Sequence, residues 1–319
     1  MVKIAIAGGA GNVAQEIIDV LLSTGKHDIL IFTRRDIPTE KRSEHIRYAK
    51  TSYGDAEELV GYLRGIDVVL SFICPHRDQA EAISCQKNLI DASVKAGVKR
   101  FAPSEWAMQK LDGLSWYEYK RVARQYLQDI NKDAKVIEYC LFLPGLFTNY
   151  LTNPHPSAKH LTQIDCQFDF EKRRAIIMEG SDNDKMVWTT VQDFAHVVAR
   201  AIEFKGEWPV VGGIQGSRMS LKELIAMGEE VRGGAFAVER IPKEDLVKGT
   251  WKTSWLPIVA HPAIAPEHLE AAAKEIMAGL ILAVNNGSFD ISGEWNKLLP
   301  DYKFTDAKEF LSWEWRGKP

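Results

Sequence analysis

Nowhere in this chain of 319 residues does an apolar stretch approach the about eighteen residues that span a bilayer. The run from Gly279 to Val284 is far too short, so no membrane partner is expected. The opening segment, Met1 to Ala10, enters an apolar strand-like run at once, without the cationic start and long apolar core of a signal peptide. A soluble, cytoplasmic protein is the expectation. The cysteines Cys74, Cys85, Cys140 and Cys166 show no C-x-x-C spacing and read as buried thiols of a reducing compartment, not as a disulfide framework. His155 and His160 are five apart and H-E-x-x-H does not occur, so no metal is expected. A basic excess is lacking too: 40 Lys and Arg stand against 43 Asp and Glu, which leaves nucleic-acid binding without an electrostatic drive.

What is present fits a folded globular protein, with 45% hydrophobic and 26% charged residues. From Val2 to Leu143, apolar strand-like runs alternate with helical patterns, the signature of a parallel sheet covered on both faces. The runs are Val2 to Ala7, Asp28 to Thr33, Ile46 to Ala49, Val68 to Ile73, Arg100 to Pro103 and Val136 to Phe142. Helical faces lie between them, one through Val13, Ile17, Ile18, Leu21 and Leu22 and another through Ile83, Leu89, Ile90 and Val94. Beyond Asn149 the sequence Asn153-Pro154-His155-Pro156 breaks the alternation. Asp193 is placed to cap a helix over 194–204 and Ser220 one over 221–231, while Pro266 precedes a helix over 267–283. The expected architecture is α/β: a Rossmann-like doubly wound sheet over residues 1–150 and a smaller α-rich substrate-binding lobe over 151–319. Ala175 to Met178, Val187 to Val191 and Val210 to Ile214 are strand candidates for return to the main sheet.

The first strand leads into Gly8-Gly9-Ala10-Gly11-Asn12-Val13-Ala14 and then a helix. Glycine lets the backbone turn tightly beside a pyrophosphate, and the amides and dipole of a helix start favour its charge. Gly8, Gly11, Asn12 and Val13 are therefore candidates to hold a dinucleotide, although the spacing departs from strict G-x-G-x-x-G. The second strand ends in Thr33-Arg34-Arg35-Asp36. Arg34 and Arg35 suit a 2′-phosphate, which selects NADPH, whereas Asp36 comes late for a ribose contact. Ser71, Phe72 and Ser104 stand at the carboxyl ends of the fourth and fifth strands, where ligands lie in such sheets. His76, just past Pro75, is a further candidate for that edge.

Short-chain dehydrogenases commonly place Tyr and Lys four apart, yet here Trp116 stands four before Lys120. Tyr117 shares a face with Lys120 at three residues' distance and is a second catalytic candidate, whereas Tyr119 points elsewhere. A lysine in a poorly solvated cleft loses proton affinity and becomes a general acid or base, so Lys120 itself is the candidate; on sequence pattern alone, a solvated lysine beside Arg121 and Arg124 competes with this. Trp251, Trp255, Trp295, Trp313 and Trp315 read as core filling before pocket lining.

The segments Gln86-Lys87-Asn88-Leu89-Ile90-Asp91-Ala92 and Ala96-Gly97-Val98-Lys99-Arg100-Phe101-Ala102-Pro103-Ser104-Glu105-Trp106 resemble those of the isoflavone reductase and NmrA-like family of atypical short-chain dehydrogenases. The likeness runs over nearly the whole chain. Leu143-Pro144-Gly145-Leu146-Phe147-Thr148-Asn149 resembles that family's loop beside the nicotinamide, which implies Pro144 and Phe147 as cofactor contacts, and Lys120 falls where the family carries its catalytic lysine. Trp188 to Ala195 resembles its W-x-x-x-x-D-x-A segment. Trp106 stands in place of the usual Phe with no Gly after it, which predicts a different loop shape. The resemblance implies an NADPH-dependent reductase of a small aromatic, phenolic or quinonoid compound, with Lys120 as proton donor or ribose ligand. A non-catalytic dinucleotide sensor and a non-redox isomerase or cyclase remain open beside it, as does a homodimer.

Overall fold

The computed structural model describes residues 1–39, 43–75, 78–258 and 266–319; His76 lies outside them. Two compact units interleave along the chain. One comprises Met1–Trp106, Trp116–Phe142 and Ala195–Gly212, the other Ala107–Ser115, Leu143–Phe194 and Gly213–Pro319.

The first unit is built on β1 (Lys3–Ala7), β2 (Asp28–Thr33), β3 (Ile46–Lys50), β4 (Val68–Ser71), β5 (Arg100–Ala102) and β6 (Glu138–Tyr139). They form a six-stranded sheet in the order β3-β2-β1-β4-β5-β6, and every neighbouring pair is parallel. This is the doubly wound Rossmann order, whose direction of winding reverses between β1 and β4. The central strands are buried on both faces, as their unbroken apolar runs require: Ile4 to Ala7 and Val69 to Ser71 have no exposed surface. Helices α1 (Asn12–Thr24), α2 (Ala56–Leu63), α3 (Gln79–Ala96) and α4 (Glu118–Ile130) connect the strands. In α1, Ile17, Ile18 and Leu21 are buried, and Gly25 ends the helix at φ +62°. In α2 the Asp55 carboxylate accepts the amides of Glu57 and Glu58, while Leu59, Val60 and Leu63 are buried. Past Cys140 the sixth strand resumes as β7 (Leu141–Leu143), and the Leu141 amide donates to the Val210 carbonyl at 2.8 Å.

The second unit takes the larger share of the chain. Its strands are β8 (Leu146–Phe147), β9 (Phe168–Asp169), β10 (Arg174–Met178), β11 (Lys185–Thr189), β13 (Ser217–Ser220) and β14 (Ala237–Ile241). The intervening β12 (Val211–Gly213) pairs with β7, so of the three candidates for return only the segment from Val210 runs beside the sixth strand. β10 instead joins β9 and β14, and β11 joins β8 and β13. Between and after them run α5 (Val191–Glu203), α6 (Leu221–Arg232), α7 (Lys243–Lys248), α8 (Leu269–Asn285), α9 (Glu294–Leu298) and α10 (Ala307–Glu314). Ser220 caps α6 in a reciprocal box with Glu223. Asp193 does not cap α5, which begins two residues earlier; the Thr190 hydroxyl accepts the Asp193 amide at 3.1 Å. The freed Asp193 carboxylate, 4% exposed, accepts the Tyr302 hydroxyl at 2.8 Å and the Thr305 amide at 2.9 Å. Trp251, Trp295 and Trp315 are core residues, Trp313 is exposed, and the ring of Trp255 lies 4.1 Å from the Arg174 guanidinium. No helix among the described residues is long and apolar enough to cross a membrane.

Candidate cofactor and active site

The glycine turn sits at the carboxyl end of β1, against the end of β4. Gly8 adopts φ +73°, and a Cβ there would come 2.8 Å from the Phe72 carbonyl oxygen, so the close approach of the two strand ends admits only glycine. The Gly11 amide closes the turn on the Gly8 carbonyl at 2.9 Å. Ala10, Gly11 and Asn12 are exposed, Val13 is half-buried, and no side chain caps the start of α1. A solvent-facing helix start without a side-chain cap offers what a diphosphate takes: amide donors and the positive end of the helix dipole. These residues fit the group that the sequence implies.

From this turn a line of contacts runs in both directions along the sheet edge. On one side the Gly8 amide donates to the Tyr53 hydroxyl at 3.1 Å, and the Arg34 guanidinium lies 5.6 Å from the centre of the Tyr53 ring. Arg34 also pairs with Glu81 at 3.0 Å and touches the Cys85 sulfur at 3.3 Å, so it is held in place from three directions. Burial pushes the Tyr53 hydroxyl up to about 12, which keeps it protonated. Arg35 is exposed, with its amide on the Thr33 hydroxyl at 3.0 Å, and Asp36 is engaged by Lys50 at 2.6 Å.

On the other side, Phe72 stacks on Trp106 at 4.4 Å between ring centres, nearly parallel at 7°. The Trp106 indole donates to the Ser71 carbonyl at 2.9 Å, and the Ser71 hydroxyl donates to Gln86 at 2.7 Å. The residue before Trp106, Glu105, offers its main-chain carbonyl to the Lys120 ammonium. Lys120 is 5% exposed, not solvated, and its nitrogen lies 4.7 Å from the Tyr117 ring centre and 5.5 Å from that of Tyr119. Loss of hydration lowers its proton affinity to a pKa of about 8, against an opposing pull from the Glu105 carboxylate.

Tyr117 thus meets Lys120 through the face of its ring, and burial pushes its hydroxyl up to about 12, a poor acid. Tyr119 is no bystander: it is buried beside the same ammonium. Tyr117 lies just before α4, in a short 3₁₀ turn over Ser115–Tyr117, so an ideal helical wheel does not show both rings beside the lysine. Cys74 also departs from expectation, being exposed, and it is close enough to Lys120 to affect its charge; the other three cysteines are buried.

Gly8, Gly11, Asn12, Val13, Arg34, Arg35, Ser71, Phe72, Ser104, Tyr117 and Lys120 all belong to the first unit. Pro144 and Phe147 belong to the second, where the Pro144 carbonyl accepts the Thr189 hydroxyl at 2.8 Å and Phe147 packs on Tyr150 and Phe194. Sequence reasoning missed Tyr53, Glu105 and Arg124. The signal for the last two was present, an acid directly after Ser104 and a second cation four residues beyond Lys120.

Residues 2–311 match the NmrA-like family. The oxidoreductase swnN of Metarhizium robertsii is 24% identical, covering 100% of this chain and 98% of its own. The bifunctional pinoresinol-lariciresinol reductase of Linum perenne is 23% identical over 97% of this chain and 98% of its own. Among solved structures, the NADPH-dependent quinone oxidoreductase QOR2 of Escherichia coli, complexed with NADPH, shares the fold with a TM-score of 0.67 at 21% identity, covering 97% of this chain and 98% of that one. AtPrR2 with NADP+ and (+)pinoresinol does so with a TM-score of 0.70 at 18% identity, covering 98% of each chain.

Proposed function

Because the chain belongs to the NmrA-like family, we propose that it is an NADPH-dependent oxidoreductase that reduces a small aromatic, phenolic or quinonoid compound, with Lys120 handling the proton. The observation that carries this reading is the buried lysine with a pKa of about 8, linked by Glu105, its neighbour Trp106 and the Trp106–Phe72 stack to the strand end that faces Gly8. A group with proton affinity near neutrality both gives and takes a proton at working pH, which an ordinary lysine at 10.5 does not.

NADPH, when bound, supplies the hydride. The chain's own residues do the rest. The turn from Gly8 to Val13 receives the diphosphate, and Arg34 and Arg35 take the 2′-phosphate. Lys120, its ammonium held by the Glu105 carbonyl, delivers a proton to an oxygen of the substrate or orders the nicotinamide ribose. The aromatic wall of Phe72 and Trp106 offers a flat apolar surface at the same edge, suited to a ring-bearing substrate. The names of the relatives support the class: oxidoreductase for swnN, and pinoresinol-lariciresinol reductase for the Linum enzyme.

The test is titration with NADPH and NADH, followed by turnover on a panel of phenols and quinones with and without Lys120→Ala. Expected are tighter binding of NADPH and loss of turnover in the variant with binding retained. Binding without turnover on any substrate would instead point to a dinucleotide-dependent regulator.

A further inference from the structure

The turn after Pro103 is fastened by its backbone, the Glu105 amide donating to the Pro103 carbonyl at 2.8 Å and the Trp106 amide to the Phe142 carbonyl at 3.1 Å. Glu105 is 1% exposed, and its carboxylate receives both arms of the Arg124 guanidinium, with Nε at 2.9 Å. Trp106 stands at φ +53°, a left-handed backbone that a non-glycine residue keeps only where the surroundings impose it. Its indole is clamped between Phe72 and Phe142, at 4.4 and 5.8 Å between ring centres.

Glu105 uses two different groups on one face of α4. Its carboxylate holds Arg124, and its carbonyl receives Lys120 one turn earlier. A buried ion pair is a poor stabiliser, because desolvation offsets most of the attraction and an apolar pair of the same volume does as well. What such a pair does provide is one fixed geometry. We propose that Glu105 and Arg124 are positioning residues for Lys120: their fork locks the Ser104–Trp106 turn in the arrangement that presents the Glu105 carbonyl to the lysine and holds the ammonium against the Tyr117 ring. The role rests on Lys120 being the group that handles the proton.

Among the described residues, the charged and titratable groups facing Lys120 are Glu105 from beyond β5, Arg124 from α4, Cys74 from beyond β4, and the rings of Tyr117 and Tyr119. Glu105 strengthens the lysine's hold on its proton, and Arg124 weakens it. The experiment follows the Lys120 ε-carbon by NMR through a pH titration of the cofactor-free protein labelled in lysine, with Lys120→Arg identifying the signal. Glu105→Gln should move the Lys120 midpoint down by about one unit, and Arg124→Gln should move it up by a similar amount. A turn that merely supports the fold gives another pattern: either loss lets water in, and both variants drift up toward 10.5. That result, or no shift in either variant, overturns the proposal. Should Glu105→Gln fail to fold, Arg124→Lys decides instead, since it keeps the charge and loses the fork. With the charge kept, kcat should fall about tenfold while NADPH affinity is unchanged, and a wild-type kcat refutes positioning. If Lys120→Ala retains full turnover, the catalytic reading fails while the NMR result still decides the geometry.

Discussion

Replacing Lys120 by methionine should make the protein relatively more stable at neutral pH than at alkaline pH, and the size of the effect follows from the burial of the ammonium. In the unfolded chain the lysine titrates at 10.5, and in the folded protein at about 8. Between these values the unfolded state binds more protons, so stability rises with pH. Below pH 8 the native state carries a poorly hydrated charge. A difference of about 2.5 units at about 1.4 kcal/mol per unit is a burden of about 3 kcal/mol at pH 7, which falls to about 1 kcal/mol by pH 10. Methionine fills a similar volume and carries no charge, but leaves the Glu105 carbonyl without its partner at a cost of about 1–3 kcal/mol that does not depend on pH. The absolute change at pH 7 is therefore small, whereas the difference between wild type and variant should shift by about 2 kcal/mol between pH 7 and pH 10. Urea denaturation of both proteins across that range measures it. Parallel stability curves would show that Lys120 is solvated in the folded state, and the proton-transfer role would lose its physical basis.

Arg34→Ala combined with Arg35→Ala should weaken NADPH binding by about ten- to a hundredfold, the worth of one or two charge-assisted hydrogen bonds, with far less effect on NADH; equal losses by calorimetry would remove the 2′-phosphate role. Gly8→Ala forces a left-handed alanine and drives its Cβ to 2.8 Å from the Phe72 carbonyl, whereas Gly65→Ala is strained at φ +75° with nothing within 4 Å. The first should cost about 2 kcal/mol more than the second in chemical denaturation, and equal costs would show that the strand ends are not in close contact. Asp193→Asn turns one of the two carboxylate oxygens toward its donors Tyr302 and Thr305 into a donor itself, so it should destabilise by about 2–3 kcal/mol, and an unchanged denaturation midpoint would contradict the buried network.

The first unit was legible in the sequence because its physics is local. A strand such as Asp28–Thr33 is buried from Ile29 to Thr33, so its apolar run has one interpretation and its observed bounds match the expected ones. The glycine turn was equally plain, since a positive φ beside a neighbouring strand end leaves no other residue type. Helix α2 was missed because eight residues with three apolar positions give little periodicity, although Asp55 followed by Glu57 and Glu58 marks a helix start. The apolar runs of β10 and β11 identified them as strands without identifying their partners. Whether such a run joins the main sheet or β9, β14, β8 and β13 depends on which edges the fold leaves open, and that is a tertiary property.

The candidate lysine shows where local reading ends. On a helical wheel Lys120, Arg121 and Arg124 look like one solvated cationic face, and Arg121 behaves so, exposed beside Glu118. Lys120 and Arg124 do not, because a single acid fifteen residues before the lysine turns back from the end of β5 and takes both. Neither the burial of a charge nor its compensation is encoded at the charged residue itself. Both are set by the partner that the chain topology delivers, and here the delivery depends on a tryptophan accepting a backbone conformation that its sequence context does not announce. Chemistry at this edge is accordingly expected to be more sensitive to substitutions at Glu105, Trp106 and Arg124 than to changes at Tyr117, whose hydroxyl is too weak an acid to replace the lysine. Turnover of Tyr117→Phe near the wild-type value would agree with that ordering, and a loss as deep as that of Lys120→Ala would reverse it.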